Sequence, residues 1–118
     1  MGYTIWPDNL SGDALADVYH ERRRQDDLKA AGRFAHTCAD VDMGNAERLA
    51  VLVEEVGEVA RCVSETAGLA NDKHGRDLRA ELVQVAAVAV AWIEGLDAKR
   101  TGEFLIEADS GGNGVPEE

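Results

Sequence analysis

The 118-residue sequence is short of the residues that build β-rich or disulfide-stapled proteins. It has two prolines, and two each of Phe, Trp and Tyr, beside many Ala, Val, Leu and Glu, a balance that favours helices. Its two cysteines, Cys38 and Cys62, form no C-x-x-C pattern, so neither a zinc ribbon nor a disulfide framework is indicated. Free thiols in a reducing cytoplasm, packed as small hydrophobes, are the expectation. Positive charge is scarce: 12 Lys and Arg against 23 Asp and Glu give a net charge of −11. That disfavours binding to a nucleic-acid backbone, and an anionic nucleotide would need a metal and local basic groups to bridge the repulsion.

Long apolar runs are missing too. The stretch from Leu82 to Ile93 is apolar on every side but well short of the ~20 residues that cross a bilayer. Met1 to Leu10 lacks the apolar core of a signal peptide, and Trp6 stands where a myristoylation signal would need Ser or Thr. A cytoplasmic protein without a membrane partner is expected. The length suits one core. The chain is read as a helical domain over 1–107 and a disordered acidic tail over 108–118, where Gly is frequent and the end reads Pro-Glu-Glu.

What the sequence does have is carboxylates set among apolar residues. Arg48 to Glu65 reads RLAVLVEEVGEVARCVSE. On a helix, Leu49, Leu52, Val53, Val56, Ala60 and Val63 form one apolar stripe. Glu55 and Glu58 share a second face, flanked by Val51 and Cys62 rather than by solvating residues. The helix is therefore expected to be covered on two faces, one of them holding paired acids. Such acids resist desolvation unless a cation compensates them, and Mg²⁺ takes hard oxygen ligands of this kind. Good helix formers on a solvated face are the plainer alternative, and the cluster alone leaves both open.

Leu78 to Leu96 reads LRAELVQVAAVAVAWIEGL, and Glu81 with Gln84 repeats the three-residue spacing beside an apolar stripe through Val85, Val88 and Trp92. Two helices with inward acidic pairs are how bundle cores build metal sites, while the missing Glu-x-x-His motif speaks against a di-iron carboxylate site. In these residues the sequence resembles the MazG-like, all-α nucleoside triphosphate pyrophosphohydrolases, the superfamily that includes dimeric dUTPases and dCTP pyrophosphatases. The E-E-x-x-E pattern of that family reads here Glu54-Glu55-Val56-Gly57-Glu58, and E-x-x-D reads Glu81-Leu82-Val83-Gln84. The likeness spans 20–97, with Gln84 where the family has Asp.

The resemblance implies an all-α bundle of three main helices plus a short C-terminal helix. The Leu82 to Ile93 helix, apolar on all faces in a chain too small to cover it, is expected to complete the bundle as the interface of a homodimer or homotetramer. The resemblance also implies conversion of a (d)NTP to (d)NMP and pyrophosphate, with Mg²⁺, or Mn²⁺ in its place, on Glu55, Glu58, Glu81 and Gln84. Glu54 would polarise the attacking water. Arg22 and Gln25 fall in a segment, Glu21 to Gln25, that is similar to a nucleotide-facing segment of the family. Lys73 and Arg76 precede the second acidic helix, where basic groups and N-terminal amides can meet phosphates. A nucleotide-binding or regulatory protein that keeps the fold without turnover is the second reading, kept open by Gln84. An acidic mimic of nucleic acid ranks last, because its acids should face outward.

Local signals set the expected boundaries. Ser11 caps a first helix that ends near Ala31 with Gly32 as its stop, and Asn45 caps the second helix, which runs to about Gly68. Gly95 separates the third helix from the short final one over 97–107. The aperiodic stretch from Gly32 to Gly44 is longer than a bundle turn requires, a hint of function.

Overall fold

The computed structural model describes residues 10–66 and 77–110. It is all-α: α1 spans Leu10–Ala30, α2 Asn45–Thr66 and α3 Leu78–Ser110. The middle element is α3, with α1 and α2 both packed on it. Its small residues make this possible, since Ala87 and Ala91 are fully buried and let a neighbouring backbone approach closely. The all-round apolarity of this helix thus has a cause within one chain. The expected short C-terminal helix is not separate: α3 continues through Gly95 to Ser110.

Helix ends are set by backbone chemistry. After α1, Gly32 adopts φ 79°, a left-handed conformation that costs glycine nothing. Its N–H donates to the Lys29 carbonyl and that of Arg33 to Leu28, the paired closing bonds of a glycine-terminated helix. At the start of α2 the cap is Gly44, not Asn45: the Glu47 side chain accepts from the Gly44 N–H at 3.2 Å. Asp77 caps α3 by accepting from the Arg79 N–H at 2.9 Å. Residues 108–110, expected in the tail, are instead the end of α3, while the rest of that tail, 111–118, lies outside the described residues, as do Trp6 and the expected end of α2 at Gly68.

Asn45 has another task. Its side-chain oxygen accepts from Trp92 Nε1 and from Arg48 Nη1, each at 3.0 Å. Arg48 is only 2% exposed, and it donates from Nε to the Cys38 carbonyl at 3.0 Å and from Nη2 to the Asp40 carbonyl at 2.6 Å. One buried guanidinium therefore bolts the 31–44 loop to α2. Gly95 makes room for it: a Cβ there would stand 2.5 Å from Arg48 Nη2 and 2.9 Å from the Cys38 oxygen. This explains why glycine sits inside α3 without ending it.

Most of the apolar stripe of α2, Leu52 excepted, does not pack in this chain. Val51, Leu52, Glu55 and Cys62 are turned inward, whereas Leu49, Val53, Val56 and Val63 are exposed. With α1 and α2 on α3, the outer face of α2 meets no further element among the described residues. No helix among the described residues is long and apolar enough to cross a membrane.

Candidate active site

A cavity of about 240 Å³ lies where the three helices and the 31–44 loop converge. From α1 come Glu21, Arg24 and Gln25, from α2 Val51 and Glu55, and from α3 Gln84 and Val88. The loop closes it with Phe34, His36, Thr37 and Cys38. The lining combines apolar and polar side chains.

Glu55 is the carboxyl of α2 that lines the cavity. Burial, reinforced by the negative charges of Glu81, Glu54, Glu58 and Glu21, pushes it above its ordinary value. Acids from all three helices are thus within each other's field, and Gln84 joins Glu55 on the cavity wall. Glu58 and Glu81 are half-buried and Glu54 is exposed, and none of the three is among the residues that line the cavity. Among the described residues no group of three or more His, Cys, Asp or Glu is already close enough to hold a metal ion. The donors are all oxygen, the chemistry of a hard cation, and the strain on Glu55 is of the kind a divalent ion relieves.

This strain has a pH signature. Below the unfolded-state value, about 4.3, Glu55 is protonated whether folded or unfolded and costs nothing. As pH rises through its raised folded-state value, the native carboxyl must ionise against burial and like charges, so metal-free stability falls. Glu55→Gln is expected to remove that loss. Urea unfolding of both proteins in EDTA should give curves that agree near pH 4.3 and diverge towards neutrality, with the variant the more stable.

Of the sequence candidates on α1, Gln25 lines the cavity and Arg22 does not. Arg22 is 4% exposed and forks onto Glu94, at 2.8 and 3.1 Å, and onto Asp26. It also donates from Nη1 to Gln25 Oε1 at 3.0 Å. A guanidinium only donates, so this bond fixes the amide orientation and leaves the Gln25 NH₂ as a donor. Arg22 is thus held by Glu94, Asp26 and Gln25 and is not among the residues that line this cavity. Lys73 and Arg76 lie outside the described residues.

The structure adds residues that spacing did not single out. Arg24 brings positive charge to the cavity, and Phe34 brings an aromatic surface. His36 Nδ1 lies 3.2 Å from Asp40 Oδ2, and Lys29 Nζ donates to Asp40 Oδ1 at 2.7 Å. Burial opposes ionisation of Asp40, but the bonds from Lys29 and His36 prevail and hold it below its usual value. The loop's length was the only signal for this wall. Burial pushes the Cys38 thiol up, which makes it a poor nucleophile, and Cys38 and Cys62 are both buried thiols.

The chain matches no known family model, no curated protein and no solved structure.

Proposed function

We propose that this protein is a Mg²⁺-dependent nucleoside triphosphate pyrophosphohydrolase, releasing a (d)NMP and pyrophosphate. The observation that carries the reading is Glu55, desolvated and opposed by acids from three helices on the wall of a cavity where those helices converge. Glu55, Glu58, Glu81 and Gln84 would hold the metal, which when bound supplies neutralisation of phosphate charge. Phe34, Val51 and Val88 offer the base an apolar wall, and the Gln25 NH₂ offers it or the sugar a donor. Glu54, exposed and like Glu58 and Glu81 not among the residues lining the cavity, would polarise the attacking water. Catalysis of this kind rests on positioning and electrostatics and needs no covalent intermediate. Incubation with a full panel of NTPs and dNTPs should give turnover with Mg²⁺ and none in EDTA. Metal-independent turnover would overturn the metal assignment.

Gln84 sharpens the metal reading. A neutral amide oxygen is a weaker ligand for a hard cation than a carboxylate, so the nucleotide-free protein should bind Mg²⁺ loosely. Gln84→Asp should tighten that binding, about tenfold if the shorter side chain still reaches. Calorimetric titration with Mg²⁺ measures it, and identical affinities would remove Gln84 from the ligand set.

The exposed stripe of Leu49, Val53, Val56 and Val63 supports a homo-oligomer with α2 at its interface. The expected seat of that interface thus moves from the Leu82 to Ile93 segment, much of which is used inside the chain. Light scattering at micromolar concentration should give at least a dimer, and Val53→Asp should give a folded monomer. A monomeric parent protein would exclude this assembly.

A further inference from the structure

Among the described residues that line the cavity, Arg24 carries the one permanent positive charge. Its Nε and Nη2 donate to the two carboxylate oxygens of Glu21, both at 2.9 Å. This is the two-pronged fork with which arginine also binds phosphate. The two partners are unequally solvated. The Arg24 side chain is 53% exposed and that of Glu21 13%. Such a half-exposed pair biases an equilibrium by about fivefold at most, so a more highly charged anion can displace the carboxylate.

We infer that Arg24 is the phosphate receptor of this cavity, and that its ion pair with Glu21 is a latch that a diphosphate or triphosphate group opens. This rests on the nucleotide reading above. Once the phosphate takes the Arg24 fork, Glu21 is left poorly solvated beside Glu55 on the same wall. Two desolvated carboxylates without a cation are costly, so opening the latch creates demand for a divalent ion at the place where the phosphate has just bound. The anion and the metal therefore bind together better than either alone. The free protein meanwhile keeps its receptor neutralised, which suits a cavity in a strongly acidic chain. Arg22 cannot take this role, because Glu94 and Asp26 already hold it away from the cavity.

Binding of inorganic pyrophosphate to the full chain tests this without requiring turnover. Calorimetry should show that Mg²⁺ strengthens pyrophosphate binding to the wild type. Arg24→Gln should weaken it about tenfold or more with or without Mg²⁺, and Arg24→Lys should restore only part of the loss. Glu21→Gln, which closes the latch less tightly, should bind metal-free pyrophosphate several-fold more strongly and lose most of the gain from Mg²⁺. Unchanged affinity in Arg24→Gln, with its helical circular dichroism intact, would overturn the receptor role. Unchanged metal-free affinity in Glu21→Gln would overturn the latch. Pyrophosphate binding by this pattern in a protein that hydrolyses no nucleotide would sink the hydrolase reading and leave the receptor standing. Turnover by Arg24→Gln with unaltered KM would do the reverse.

Discussion

Glu55→Gln is expected to abolish nucleotide turnover while leaving the helices folded. The substitution keeps the shape of the side chain and removes one charge from a desolvated carboxyl that faces Glu81, Glu54, Glu58 and Glu21. Loss of a group that merely orients a metal ligand already costs 10–100-fold as a rule, so loss of a ligand should lower kcat by ~100-fold or more. The fold should tolerate it, since relieving like-charge repulsion stabilises the metal-free protein. The melting temperature in EDTA should hold or rise, and the gain in melting temperature on adding Mg²⁺ should shrink. Glu58→Gln should likewise lose activity with its helices intact. Near-normal hydrolysis by Glu55→Gln would remove the carboxylate group from the chemistry altogether.

Gly95→Ala should have the largest effect on stability. Inside an ordinary helix this change stabilises by about 1 kcal/mol. Here the added Cβ would stand 2.5 Å from Arg48 Nη2 and 2.9 Å from the Cys38 carbonyl oxygen. The guanidinium is 2% exposed and has little room to retreat without giving up its bonds to the Cys38 and Asp40 carbonyls. Overpacking costs ~1–3 kcal/mol and a hydrogen bond to a charged group ~1.5–3 kcal/mol, so a net loss of about 3 kcal/mol is expected. At this chain length that is a fall in melting temperature of roughly 10 °C. Arg48→Met should unbolt the same loop and soften the cavity wall that carries Phe34 and His36. Thermal unfolding decides the matter by sign: a more stable Gly95→Ala would mean that the Arg48 contact is not restraining.

These two sites differ in how far the sequence disclosed them. The inward face of α2 could be read directly, because Glu55 and Glu58 lie three residues apart with Val51 and Cys62 one turn away on the same side. Helical spacing is a local property, and three helices without a strand among the described residues follow from the same patterning. Which face meets which partner is not local. The apolar stripe of Leu49, Val53 and Val56 is the stronger signal on α2, yet the chain packs the face beside it. The Arg48 anchor was invisible because it binds backbone carbonyls, which every residue has and no spacing marks. Gly95 looked like a helix stop because glycine so often ends helices, whereas here its missing side chain is what the packing needs.

The choice among the arginines of α1 shows the same limit. Helical geometry says that Arg22, Arg23 and Arg24 point to different sides, but not which side is the cavity. That is settled by Glu94, which lies 72 residues away in sequence and claims Arg22. Arg24 is left facing the cavity with Glu21, a pairing visible in the sequence only as one of several acid–base neighbours.

Hydrolysis of the preferred nucleotide in water enriched in heavy oxygen tests the central reading most directly. The wild-type protein with Mg²⁺ should release pyrophosphate, and the label should appear in the nucleoside monophosphate, as attack at the α-phosphorus requires. Label in pyrophosphate with none in the monophosphate, release of orthophosphate with a diphosphate, or no turnover on any NTP or dNTP would contradict it.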